Sequence, residues 1–142
     1  MKIPMKVDYG VRALVELAMH HGNGPVPTSE IASKQGIPES YLVQLMSTLN
    51  HCGYVQSRRG PQGGHSLAMD PSDINLHMIM TTLDGNSSPL DCLTYVSDCI
   101  FADSCAQQEI WKSVEEAIES VLANITLEHL ARRQEYLSAQ GV

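Results

Sequence analysis

Two short helical patterns hinged on Gly36, followed at once by a glycine-tipped hairpin pattern, restrict the possible folds of this chain more than any other stretch. The first pattern opens at Thr28, which reads as an N-cap, carries Glu30 in its first turn and turns Ile31 and Ala32 inward before Gly36 ends it. Ile37-Pro38-Glu39 restarts the chain with a proline where a helix tolerates one. The second helix runs to about Cys52 and stops at Gly53. Leu42, Leu45, Met46 and Leu49 recur on one face at i, i+3, i+4 and i+7. Ser40, Gln44, Ser47 and His51 collect on the opposite face, flanked by Tyr41 and Thr48. An ordinary solvated face carries more Lys and Glu; Ser and Gln are side chains that read base edges in a major groove. The pattern is a helix-turn-helix. Cys52, at the end of its second helix, reads as a core residue.

Tyr54 to Arg59 then reads as a short strand, Gly60-Pro61-Gln62-Gly63-Gly64 as a tight turn, and His65 to Met69 as a returning strand. A wing of this kind can lay its backbone against phosphates. Ser40, Tyr41 and Gln44 are therefore the candidate base contacts. Arg58, Arg59 and the backbone of Gly60, Gly63 and Gly64 are the candidates for phosphate or the minor groove.

The net charge of −7 argues against a nucleic-acid partner until it is divided. Residues 1–65 hold six basic and four acidic side chains, whereas residues 66–142 hold three basic and twelve acidic. The N-terminal half is the one suited to a polyanion.

Upstream, residues 5–20 form a helical pattern with an apolar stripe of Val7, Val11, Leu14, Val15, Leu17 and Ala18, stopped by His21-Gly-Asn-Gly-Pro25. His20 and His21 sit at its end as cap and surface residues. Downstream, Asp70 to Asp73 reads as a turn, and Asn75 caps a helix of Leu76, Ile79, Met80 and Leu83 that Gly85 ends. From Ala106 an unbroken helical stripe passes through Ile110, Trp111, Val114, Ala117, Ile118, Val121 and Leu122. It has no comparable partner in the chain, so pairing with a second copy is expected, with packing on the N-terminal helix as the simpler use of the same face. Thr126 caps a last helix of Leu127, Leu130 and Leu137. The expected fold is mostly α with a small β wing: a winged helix-turn-helix domain (1–85), a cysteine-bearing loop (86–105), and a long dimerisation helix with a C-terminal helix (106–142).

Three of the four cysteines fall within fourteen residues, Cys92, Cys99 and Cys105, spaced C-x6-C-x5-C. Asp91, Asp98 and Asp103 stand one or two positions away. Neighbouring carboxylates disfavour a free thiolate, which argues against a reactive nucleophile, whereas a bound metal reverses that balance. Soft thiolates suit an iron–sulfur cluster or zinc, and three small apolar residues packed under a loop is the alternative. No run of roughly twenty apolar residues spans a membrane, and Met1 to Asp8 is too broken for a signal peptide. A cytoplasmic, reducing setting is expected, where metal binding is commoner than disulfides. No nucleotide-binding glycine motif, Cys-x-x-Cys or Ser/His/Asp constellation stands out, so no enzyme is expected.

Lys6-Val-Asp-Tyr-Gly-Val-Arg-Ala-Leu14, Glu30-Ile-Ala32, Ile37 with Ser40-Tyr-Leu-Val-Gln-Leu45, Gly53-Tyr-Val55 and Arg59-Gly-Pro-Gln-Gly-Gly64 resemble the Rrf-two family of bacterial winged-helix transcription regulators. The likeness is strongest from Val26 to Leu76 and continues through residues 76–84, the cysteine loop and Ile125-Thr126-Leu127. It implies a homodimer that presents two recognition helices to a palindromic operator in double-stranded DNA. It also implies that Cys92, Cys99 and Cys105 hold an iron–sulfur cluster, [4Fe-4S] or [2Fe-2S]. One cluster-binding branch has a His three positions after the third Cys, where this chain has Gln108. Another takes an Asp from the partner subunit's N-terminal helix, and Asp8 stands at that position as the candidate fourth ligand. The first cysteine spacing is one residue longer than in either branch, which leaves nuclearity open. Many family members carry Glu where this chain has Val43, so an operator sequence does not carry over with the family. A cluster-free regulator of the same family, sensing through a protein partner or thiol oxidation, is the alternative; a structural zinc module is a third.

Overall fold

Fifteen residues from Met5 to Met19 form α1, and the computed structural model, which describes residues 2–85, 99–101 and 104–141, wraps the other elements around it. Ala13, Leu14 and Leu17 of α1 are almost wholly removed from solvent. Gly10 supplies the closest approach: a Cβ there would run into Leu83 and touch Leu45. A larger side chain at position 10 would therefore force the Leu83 side chain out of its place against this helix.

The helix-turn-helix is α2 (Thr28–Gln35) and α3 (Glu39–His51), joined through Gly36 in the left-handed region at φ 63°. Leu42, Leu45, Met46 and Leu49 are all buried, as their spacing predicts. Strands β1 (Val55–Arg58) and β2 (Gly64–Leu67) pair antiparallel, with Val55 opposite Leu67 and Arg58 opposite Gly64. The wing root continues into a bridge between Val26 and His65, with backbone N–H to O distances of 2.8 Å in both directions. Gly64 is required there, because a Cβ would collide with the backbone of Val26 and Pro27.

Asp70 accepts from the Ser72 amide and opens a short 3-10 turn at Pro71–Asp73. Asn75 caps α4 (Leu76–Asp84) by accepting from Met78 N at 2.9 Å. Helix α5 (Ala106–Ala123) buries none of its residues. Helix α6 (Leu127–Ala139) returns to α1 and contributes Leu127 and Ala131 to the same core as residues 7–83. Its start is tied down by Leu76 N to Ile125 O and Leu127 N to Ile74 O. The fold is mostly helical with a small two-stranded wing. Among the described residues no helix is long and apolar enough to cross a membrane.

Two local expectations need correction. Thr28 is the first residue of α2 and makes no capping bond; its hydroxyl lies 2.8 Å from Nε2 of His65 instead. Cys52 is exposed. The helix ends beside it, Gly53 turns the chain at φ 86°, and Tyr54 takes the buried position that one more helical step would have given to Cys52.

Candidate functional site

The burial of one face of α3 forces the other outward. Ser40, Gln44, Ser47 and His51 are exposed and Tyr41 is half-buried. Tyr41 is held by its ring, which meets Tyr9 of α1 edge to face at 5.5 Å. The exposed face is continuous with the wing: Asn50 Nδ2 donates to Ser57 Oγ of β1 at 3.2 Å. Arg58 and Arg59 follow, both exposed, and Gly60 to Gly64 close the tip. Gly63 is needed for that tight closure, since a Cβ would strike the carbonyl of Arg58. One hydrogen-bonding helix face beside two guanidinium groups is suited to base edges in a groove and to flanking phosphates.

His65 locks this arrangement, a role its sequence position did not signal. The hydroxyls of Ser57 and Thr28 lie 2.8 Å from its Nδ1 and Nε2, so β1, β2 and the start of α2 meet on one ring. Burial holds the imidazole below the ordinary histidine range. The folded chain thus favours neutral His65, while the unfolded chain takes up its proton near pH 6.5. This part of the stability is complete above that pH and is lost as the pH falls through and below it. Thermal melts from pH 8 to pH 5 should show the midpoint falling on the acid side, with a shallower fall in His65→Gln. An identical slope in the variant would remove His65 from the account.

The candidate metal ligands are less gathered. Cys92 lies outside the described residues. Cys99 and Cys105 are free thiols, both half-buried, and Cys105 is the residue preceding the first turn of α5. Among the described residues no three His, Cys, Asp or Glu side chains come together as a metal-holding set. Asp8 accepts from Arg12 Nε and Nη2, each at 3.1 Å, and its side chain stays 46% exposed. The donor chemistry, soft thiols with a carboxylate, fits an iron–sulfur or zinc centre.

Arg12 is a second residue that the sequence reading passed over, although the i, i+4 spacing from Asp8 was its signal. Besides Asp8 it donates to Gln35 O at the end of α2 (3.3 Å) and lies 5.6 Å from the centre of the Tyr9 ring. Contacts thus run from Asp8 through Arg12 and Tyr9 to Tyr41 in the first turn of α3.

Three comparisons bear on this geometry. The family model for Rrf2, described as an iron-dependent transcriptional regulator, matches residues 3–133. The HTH-type transcriptional regulator IscR of Yersinia enterocolitica is 38% identical over 137 residues, covering 96% of this chain and 83% of that protein. Among solved structures, CymR, the global cysteine regulator of B. subtilis, superposes with a TM-score of 0.82 at 35% identity, covering 94% of this chain and 98% of its own. IscR of T. potens superposes with a TM-score of 0.80 at 36% identity, covering 96% and 90%.

Proposed function

The chain belongs to the Rrf2 family, whose members are DNA-binding transcription regulators and not enzymes, and from that premise we propose how it works. It acts in the cytoplasm as a homodimer on a palindromic operator. Its affinity for DNA is set by an iron–sulfur cluster held by Cys92, Cys99 and Cys105, with the partner subunit's Asp8 as fourth ligand.

The observation that carries the DNA half of this reading is the exposed Ser40–Gln44–Ser47 face of α3, continuous through Asn50 with a wing bearing Arg58 and Arg59. The iron-dependent character of the family supports the other half, together with the three closely spaced cysteines. When bound, such a cluster supplies a centre that exchanges electrons and ligands.

The chain's own residues supply a route to the DNA. A change in what Asp8 contacts changes the hold on Arg12, and Arg12 touches both the end of α2 and the ring that supports Tyr41. A tenfold change in operator affinity needs about 1.4 kcal/mol between two states. The exposed Asp8–Arg12 pair alone contributes up to about 1 kcal/mol. A cation–π contact at such a site adds about 0.5–1 kcal/mol. Together they reach the required size, where either alone falls short.

The test is anaerobic purification with ultraviolet–visible and Mössbauer spectra, followed by operator titrations with and without the cluster. A protein that stays colourless after reconstitution with iron and sulfide would return the reading to a cluster-free regulator, and bound zinc alone to a structural zinc module. For the DNA half, Gln44→Ala should lose about 1–3 kcal/mol of operator binding and relax sequence preference. Arg59→Ala should weaken all sequences alike and lower the salt slope by about one. Neither should alter the chromophore. Wild-type titrations from both variants would remove α3 and the wing from the DNA interface.

A further inference from the structure

Val43 is 55% exposed on α3, whereas the four apolar residues that serve the core from the same helix are buried. The fold therefore has little use for it. At 100° per residue it lies about 60° around the helix from Ser40, between Ser47 and Asn50. It is one turn on from Ser40 and one turn short of Ser47, so it shares the strip of side chains that faces outward beside the wing. It also stands in the first two turns, the part of a recognition helix that comes nearest to base edges.

A valine there offers no donor and no acceptor. Any polar base edge it covered would lose water and gain no partner. The major groove has one apolar feature that a valine can cover without that penalty, the 5-methyl group of thymine. Valine suits the task in a second way: its branched Cβ holds essentially one rotamer in a helix, so its methyl groups are already fixed before DNA arrives. Resting on the assignment of α3 as the DNA-reading helix, we infer that Val43 reads a thymine methyl group in each half-site. A T–A pair is thereby selected at that position, and cytosine and guanine edges are rejected.

Burying one methyl group against Val43 is worth about fourfold in affinity per half-site, and about fifteenfold over a symmetric operator. The experiment selects an operator from random duplex DNA with the full-length protein. Each thymine is then replaced in turn by deoxyuridine, which removes the methyl group and nothing else. Wild type should show one symmetry-related position where this loss appears, and Val43→Ala should bind the thymine and deoxyuridine forms equally. Val43→Ala alters a half-exposed residue, and its circular dichroism should match wild type. The inference is overturned if no thymine responds, or if Val43→Ala loses as much as wild type at the responsive one. Gln44→Ala and Arg59→Ala separate this from failure of the premise. If they weaken binding while the methyl scan is silent, only the role of Val43 falls; if they bind as wild type, or if no sequence is selected, the assignment of α3 falls with it.

Discussion

Chains carrying glutamate at both Ile110 and Val121 will sediment as monomers and lose operator affinity by about two to four orders of magnitude. The reason lies in α5. It is eighteen residues long, about 27 Å at the standard rise, and buries none of them. Yet Ile110, Val114, Ala117, Val121 and their neighbours Trp111, Ile118 and Leu122 follow one helical stripe. Ile110 and Val121 are 63% and 64% exposed. The strip's exposed edge, Ile110, Ala117 and Val121, is suited to a contact surface, and in the proposed dimer a second copy would cover it with its own identical strip about a two-fold axis. Two charges on that strip would have to be buried unpaired in the dimer, which costs far more than the strip gains. The affinity loss follows because one linked half-site contact, at an effective concentration in the millimolar range, disappears. Leu127 and Ala131 hold α6 in the core independently of α5, so the variant's helical circular dichroism should persist. A double variant that stays dimeric in sedimentation equilibrium would defeat the pairing.

The buried face and the outward polar face of α3 were legible because both come from one helix with a clean 3.6-residue period. The glycine turns were legible because they bracket that period at Gly36 and Gly53. What local patterns could not show was decided by partners distant in the chain. Thr28 looked like a cap, but its hydroxyl faces a ring 37 residues away. Cys52 looked like the next core step, but the helix ended there, and the hydroxyl of Tyr54 instead anchors the buried position with a contact of 2.9 Å to Thr82 Oγ1. Glu16 stands on the apolar face of α1 and is only 2% exposed. It is tolerated because Lys34 (3.3 Å) and Gln35 (2.8 Å) of α2, with His20 (3.5 Å), surround its carboxylate. His129, unassigned from sequence, completes a reciprocal capping box with Thr126, where the usual partner is Glu or Gln. The candidate DNA contacts share one surface and could be read along the chain. In the proposed site the ligands would come from one cysteine-bearing segment and from a helix of a second subunit, a relation that no spacing within a single chain encodes.

Replacing Cys92, Cys99 or Cys105 by alanine, one at a time, should abolish the visible chromophore of the anaerobically reconstituted protein. Thiolates supply three of four positions in the proposed site, and a cluster missing one of them is exposed to solvent and exchange. Asp8→Ala should keep some colour with an altered spectrum, since only the weaker, oxygen ligand is lost. Arg12→Ala discriminates further, because it leaves every proposed ligand in place and removes the contacts to Asp8, Gln35 and Tyr9 together. The chromophore should survive, while the difference in operator affinity between the cluster-loaded and cluster-free protein should shrink from about tenfold toward none, at 1.4 kcal/mol per factor of ten. Stability should fall by no more than about 2 kcal/mol, because the nearly half-exposed Asp8–Arg12 pair is worth at most about 1 kcal/mol and the contact with Tyr9 about 0.5–1 kcal/mol. An unchanged spectrum in all three cysteine variants would end the ligand assignment. An Arg12→Ala protein that keeps the full tenfold response would instead spare the site and move the coupling elsewhere, because the cofactor would then reach α3 without passing through Tyr9 and Tyr41.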